Sequence, residues 1–320
     1  MSKKIALYYP YMNARHIDKI RNSAPDCEFV VLEDNNSACN AEQFEVVFGY
    51  VKSEFLKAAK NLVWYHTYTA GVDSHLKPET SLPESVVLTN SAGVYGIAIS
   101  EHLICATLML MRNMAGYVSN QLESKWEALG KVNSIYGSNI TIVGLGDIGS
   151  NFAQRCSAMG ASNINGVVRR FGKEKPGFVN NLYTVDKLNE ALQDADVVAL
   201  CMPGTTETKD MFSKERIDKM KPGAILLNVG RGSAINQDDL ANALRSGQLG
   251  GAAIDVTTPE PLPADSPLWK LPNLIITPHI SGDDSLDLTI DLIVDRFIKF
   301  LGDYLAGRPF DKVVDKAAGY

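Results

Sequence analysis

Three short stretches of the chain each hold one residue suited to redox chemistry on a 2-oxo acid. "LLNVGRGSAIN" places Arg231 just after an apolar run, "DVTTPEPLPADSPLW" places Glu260 in a proline-rich loop, and "LIITPHISG" places His279 just after another apolar run. Reducing a keto group needs a hydride on carbon and a proton on oxygen. Histidine is the usual proton donor near neutral pH. A carboxylate beside a histidine stabilises the imidazolium. Arginine can clamp a substrate carboxylate and polarise its carbonyl. Singly, each has a plainer reading: a structural histidine, a surface arginine, a Glu-Pro turn. Their joint occurrence downstream of a dinucleotide signature favours the chemical one.

That signature is "ITIVGLGDIGSNFAQRC", with Gly144-x-Gly146-x-x-Gly149 between an apolar strand and a helix. The first glycine allows a tight turn, the second lets phosphate approach the backbone, and the third lets the helix sit close to the sheet. The helix amides are then free to hold a pyrophosphate. The alternative is a glycine-rich turn with no ligand, and the strand–turn–helix context weighs against it. In NAD-binding versions of this unit an acid usually ends the second strand and holds the ribose hydroxyls. Here "NGVVRRFGK" ends that strand in Arg169 and Arg170, with Val168 near the acidic position. Two arginines offer planar, charge-assisted contacts to a 2′-phosphate. At about 1.5–3 kcal/mol each, they would favour NADPH over NADH by roughly ten- to hundred-fold or more. The alternative is two solvated arginines on a loop.

The elements that must position these residues are legible as two alternating series. "KIALYY" (4–9), "CEFVVL" (27–32), "EVVFGY" (45–50), "LVWYH" (62–66) and "SVVLTN" (85–90) read as strands, with "ARHIDKIRN" and "SEFLKAAK" as helices between them. One long helix is expected from about Ile97 to about Glu123. The second series has strands at "NITIVG" (139–144), "NINGVV" (163–168), "DVVALCM" (196–202), "AILLNV" (224–229), "GAAIDV" (251–256) and "LIIT" (274–277). Asn236 reads as a helix N-cap with an acid three residues on. The last helix, Ser285 to Ala306, is amphipathic, and the tail is expected to return to the first unit. Strand–helix alternation gives an α/β class with two parallel sheets covered by helices. Ligands sit outside the carboxyl ends of such strands. Arg231, Glu260 and His279 therefore belong to the same rim as the glycine turn.

Bulk properties fit this reading. A chain of 320 residues makes one large or two medium domains. A net charge of −6 argues against non-specific nucleic-acid binding and gives no membrane-binding signal. The five cysteines, Cys27, Cys39, Cys105, Cys156 and Cys201, form no CxxC pair. Neither a metal site nor a disulfide framework is indicated, and reduced thiols in the cytoplasm are the simplest reading. The first residues lack the apolar core of a signal peptide. "GIAISEHLICATLMLMRNM" is too short, and too interrupted by Glu101 and His102, to span a bilayer.

The chain resembles the D-isomer-specific 2-hydroxyacid dehydrogenases over nearly its whole length. The resemblance rests on "YTAGVDSH", "VLTNSAGVYGIAISEHLICATLML", "GLGDIG", "CMPGTTET", "NVGRG", "DVTTPEPLPADSPLW" and "ITPHISG", in the family's order. It implies a discontinuous flavodoxin-like substrate-binding domain (1–100 and 286–320), a dinucleotide-binding domain (101–285), a cleft between them that closes on binding, and a homodimer using the helix near residue 100. It implies that Arg231, Glu260 and His279 are catalytic and that the backbone at Ala70, Gly71 and Val72 holds the substrate carboxylate. Cofactor contacts are implied at Gly144, Gly146, Asp147, Ile148, Gly149, Arg169, Arg170, Met202, Pro203, Thr208, Val229, Gly230 and Asp255, the last near the nicotinamide carboxamide. The implied activity is reduction of a small 2-oxo acid to a D-2-hydroxy acid with NADP(H), or with NAD(H). The paired arginines are similar to those of NADPH-preferring glyoxylate and hydroxypyruvate reductases. Tyr95, and the set His66, Tyr68 and Thr69, depart from the common pattern and bear on substrate choice. A corepressor-like, cofactor-sensing interaction protein is the alternative. Formate dehydrogenases resemble this chain too, but are longer and carry glutamine where Glu260 stands.

Overall fold

The computed structural model describes residues 2–35, 40–80, 82–172, 174–282 and 286–319. Cys39, Lys173 and Ser285 lie outside the described residues. The chain forms two compact units, Met1–Tyr95 with Asp284–Tyr320, and Gly96–Asp283. It passes from one to the other at the start of the helix expected near residue 100.

The first unit contains β1 (Lys4–Tyr8), α1 (Ala14–Ser23), β2 (Glu28–Val31), β3 (Val46–Gly49), α2 (Ser53–Ala58), β4 (Trp64–Thr67) and β5 (Val87–Asn90). Its strands pair in parallel in the order β2-β1-β3-β4-β5, the flavodoxin-like arrangement. β3 and β4 are buried along their whole length, as central parallel strands with both faces covered must be. α1 starts where the Asn13 side chain accepts the His16 amide, and the His16 ring reaches back to the Asn13 amide. With Nδ1 accepting there, His16 donates from Nε2 to Asp291, at 3.0 Å.

The second unit begins with α3 (Gly96–Met111) and α4 (Met114–Leu122). The single helix expected over 97–123 is thus broken. Asn113 turns left-handed, with φ 54°, and its amide donates to the Leu129 and Lys131 carbonyls. Asparagine adopts this conformation more readily than most residues. There follow β6 (Asn139–Val143), α5 (Asp147–Ala158), β7 (Asn163–Val168), β8 (Asn181–Thr184), α6 (Leu188–Leu192), β9 (Val197–Leu200), α7 (Lys214–Ile217), β10 (Ala224–Asn228), α8 (Gln237–Ser246), β11 (Leu249–Ile254) and β12 (Leu274–Ile276). The sheet is parallel in the order β12-β11-β10-β9-β6-β7-β8. β8 is an addition to the expected strands; only "NLYT" marks it, too short and too polar to read as a buried run. Asn236 caps α8 by accepting the Asp239 amide, at 3.1 Å. The Asp239 carboxylate accepts the Lys214 amide at the start of α7.

The terminal helix α9 (Asp287–Leu305) and the tail belong to the first unit. Phe297 stacks on Phe48 with ring centroids 4.2 Å apart, and Val314 donates its amide to Leu88. Phe297 also packs against His66, which is fully buried. Thr89 Oγ1 accepts from the Trp64 indole at 2.8 Å and lies 2.7 Å from His66 Nδ1. Ser91 Oγ donates to the Thr67 carbonyl at 3.3 Å and so accepts from Nε2, which places the ring hydrogen on Nε2 and makes Thr89 the donor to Nδ1.

Burial, with a smaller contribution from Arg296, pushes the His66 pKa down to about 3. In the unfolded chain it returns to roughly 6.5. Protons therefore bind the unfolded state preferentially, and stability falls as pH drops through that window. The loss of unfolding free energy between pH 7 and 4.5, measured by urea titration, is expected to be about 2 kcal/mol smaller in His66→Gln than in the parent. Equal losses would show that His66 is not a source of the acid sensitivity.

Candidate active site

The glycine turn follows β6, which pairs with β7 on one side and β9 on the other. That is the point where strand order reverses, and ligands of such sheets bind in the crevice there. Gly144 has φ 98°, and a Cβ on it would lie 2.8 Å from the Cys201 carbonyl oxygen. A Cβ on Gly149 would lie 2.0 Å from the Gly144 oxygen, so the helix can approach only with glycine there. Gly146, the N-cap of α5, has nothing within 4 Å of a Cβ position. The turn is thus packed where glycine lets backbone touch backbone and open where a phosphate would come, which fits a dinucleotide. Asp147 commits its carboxylate to the Gly96 amide at 2.6 Å and to Asn151. Only its backbone amide, like that of Ile148, is offered at the helix start.

β7 ends at Val168, so the exposed Arg169 and Arg170 follow the strand directly. Arg169 contributes to lowering the Glu207 pKa, behind hydrogen bonds from Thr205 and the Glu207 amide. Its charge therefore reaches the loop after β9. In that loop Met202 is buried and Pro203 exposed, and Thr208 Oγ1 closes the turn on the Pro203 and Thr205 carbonyls. Val229 and Gly230 are buried at the end of β10.

Arg231 follows at once. Asn228 fixes this turn by donating to the Arg231 carbonyl at 2.9 Å and accepting the Gly230 amide at 3.0 Å. Beyond β11, Glu260 Oε1 accepts the Thr257 amide and Oε2 lies 2.9 Å from His279 Nδ1. Gln237 pins the same loop, donating to the Thr258 carbonyl and accepting its amide. The Glu260 bond at Nδ1 leaves His279 Nε2 as the outward nitrogen, and the ring is half exposed. His279 has φ 56°, a left-handed backbone uncommon for residues other than glycine and frequent at functional sites.

Asp255 holds that conformation. Its carboxylate is almost wholly buried and accepts from Thr277 Oγ1 at 2.6 Å and from the Ile280 and Ser281 amides at 2.8 and 2.9 Å. Its backbone carbonyl takes the His279 amide at 2.8 Å. Burial alone would raise the carboxyl pKa, but the hydrogen bonds from Ser281, Thr277 and the Ile280 amide outweigh it and hold the group below the ordinary range. Burial pushes the thiols of Cys156 and Cys201 up to about 12, so neither offers a thiolate at neutral pH.

Residues 104–281, more than half of the chain, match the family model described as D-isomer specific 2-hydroxyacid dehydrogenase, NAD binding domain. The chain belongs to the D-isomer specific 2-hydroxyacid dehydrogenase family. It is an NAD(P)-dependent oxidoreductase of that class. A family protein from Aeromonas salmonicida subsp. salmonicida A449, solved by crystallography, is 32% identical, with a TM-score of 0.86 over 99% of this chain and 100% of that one. Glyoxylate/hydroxypyruvate reductase B of Pectobacterium carotovorum is 30% identical over 255 residues, 78% of each chain. A probable 2-hydroxyacid dehydrogenase from Rhizobium etli CFN 42, solved in complex with NADP, HEPES and L(+)-tartaric acid, is 25% identical, with a TM-score of 0.79 over 100% of both chains.

For a 2-hydroxyacid dehydrogenase, the first unit carries a second feature of interest. The Ala70 carbonyl accepts from Asn90, the Gly71 carbonyl from Thr69, and the Val72 carbonyl from the His75 and Leu76 amides. Among the described residues the amides of Ala70, Gly71 and Val72 donate no such bond. Backbone amides left open in a turn are suited to an anion. Tyr95 donates to the Tyr68 carbonyl just ahead of it, and Tyr68 stacks on Tyr9 with centroids 4.4 Å apart.

The sequence reading missed Asn228, Gln237 and Thr277, the supports of the reactive residues. The available signal was their place: each is a polar residue at the end of an apolar strand or at a helix start. The glycine geometry gives a paired prediction. Gly146→Ala should leave the melting temperature within about 2 °C of the parent and weaken binding of the reduced nicotinamide cofactor, read by nucleotide fluorescence, at least roughly tenfold. Gly149→Ala should lower the melting temperature itself. Unchanged cofactor affinity in Gly146→Ala would remove the pyrophosphate from this turn.

Proposed function

We propose that the protein reduces a small 2-oxo acid to the D-2-hydroxy acid and prefers NADPH to NADH. The observation that carries the chemistry is the Glu260–His279 pair at the carboxyl end of the sheet, with His279 held left-handed by Asp255. In this scheme the α5 amides at Gly146–Ile148 hold the pyrophosphate, and Arg169 and Arg170 hold the 2′-phosphate. The bound dihydronicotinamide supplies the hydride. The amides of Ala70, Gly71 and Val72 take the substrate carboxylate, and Arg231 polarises the keto oxygen. His279 delivers a proton from Nε2 to that oxygen, and Glu260 at Nδ1 fixes the ring and stabilises its charged form. In the reverse direction neutral His279 takes the proton back. Asp255 lies at the same rim, where its role is to shape the 277–281 segment beside the nicotinamide.

The NADP complex of the Rhizobium etli relative and the reductase activity in the name of the Pectobacterium relative support the cofactor and substrate class. We further infer a homodimer in the cytoplasm. In the second unit Leu122, Trp126 and Tyr136 are 82%, 102% and 79% exposed, and exposed large apolar side chains support a subunit contact. No helix among the described residues is long and apolar enough to cross a membrane.

The test is initial rates with NADPH and NADH against glyoxylate, hydroxypyruvate, pyruvate, phenylpyruvate and branched-chain 2-oxo acids. NADPH turnover is expected to exceed NADH turnover. Replacing both Arg169 and Arg170 by Ala should cut kcat/KM for NADPH by roughly 10–100-fold and leave that for NADH within about threefold. Equal losses with both cofactors would mean that the arginines do not read the phosphate. Tight NADPH binding with no turnover of any acid would favour a cofactor-sensing module.

A further inference from the structure

Helix α3 carries a histidine that the scheme above leaves unused. His102 Nε2 lies 3.4 Å from Thr277 Oγ1, and Thr277 Oγ1 lies 2.6 Å from Asp255 Oδ1. The Asp255 carboxylate is held in its ionised form and can only accept. The Thr277 hydrogen is therefore committed to Asp255, and the hydroxyl is left as an acceptor toward His102. His102 must carry a hydrogen on Nε2 to complete the contact. From Asp255 the bonds continue to the amides of His279, Ile280 and Ser281.

The site needs this support from outside the sheet. β12 is an edge strand of three residues and, among the described residues, pairs only with β11. The segment it feeds ends in an unfavourable left-handed residue. α3 supplies a second side to that segment, and α3 is itself anchored. Its first amide donates to Asp147 on α5, and Glu101 pairs with Arg155 at 3.3 Å.

We propose that His102 is a positioning residue for His279, acting through Thr277 and Asp255. The proposal rests on the reading of His279 as proton donor. Its test has one readout that does not need turnover, amide hydrogen exchange across 277–281, and one that does, the split between kcat and KM. In His102→Ala, exchange across 277–281 should quicken several-fold. There kcat should fall roughly 5–10-fold, the loss of one ordinary hydrogen bond, with KM and the NADPH dissociation constant within about twofold of the parent. His102→Gln, which keeps a donor at the corresponding reach, should restore both readouts. Thr277→Val should match His102→Ala or exceed it, and the double variant should be no worse than Thr277→Val alone. Unchanged exchange and kcat in His102→Ala, no rescue by Gln, or additive losses in the double variant would overturn the proposal. Should the parent reduce no 2-oxo acid, the functional reading fails, and exchange alone still decides whether His102 holds the segment.

Discussion

The geometry of the reactive rim depends on one buried carboxylate. Burying a charge is costly unless it is fully hydrogen-bonded, and Asp255 meets that condition through Thr277, Ile280 and Ser281. The constraint runs both ways. The donors keep the carboxylate ionised, and the carboxylate keeps the donors in a segment that would otherwise relax. His279 sits within that segment, so its left-handed backbone is a consequence of the Asp255 bonds. Glu260 then has only to meet a ring whose place is already set.

The second constraint is the parallel sheet, which puts the ends of β6, β7, β9, β10, β11 and β12 on one edge. Phosphate turn, arginine pair, Arg231, Glu260 and His279 all follow such ends. Contact between these loops is close: a Cβ on Gly232 would lie 2.1 Å from the Thr257 backbone. The chain as a whole carries −6, so attraction for an anionic cofactor and an anionic acid has to be local. In the proposed function it comes from directed backbone amides at the start of α5 and at 70–72, reinforced by Arg169, Arg170 and Arg231. Amides give direction without adding mobile side chains, which suits groups that must be held in one geometry.

Much of this was legible in the sequence. Buried parallel strands are continuous apolar runs, so β3, β9 and β10 announce themselves. The glycine turn is legible because close backbone approach admits no other residue at Gly149. Arg231, Glu260 and His279 stand out because their types carry chemistry. Less legible was anything set by partners distant in the chain. Asn113 looks like one more polar residue on a helix until the carbonyls of Leu129 and Lys131 come to it. Asp147 looks like a ligand of the cofactor until Gly96 takes its carboxylate. Thr277, Gln237 and Asn228 are ordinary residues whose importance lies wholly in what they touch. Candidate reactive groups are thus readable by type, whereas the residues that hold them in place are readable only by contact.

The central claim is that His279 exchanges a single proton with the substrate oxygen. The most direct measurement is the pH dependence of kcat/KM in both directions over about pH 5–9. Reduction of the 2-oxo acid is expected to fall with rising pH through one ionisation, while 2-hydroxy acid oxidation rises through the same one. Profiles that are flat, or that move together in the two directions, would contradict it.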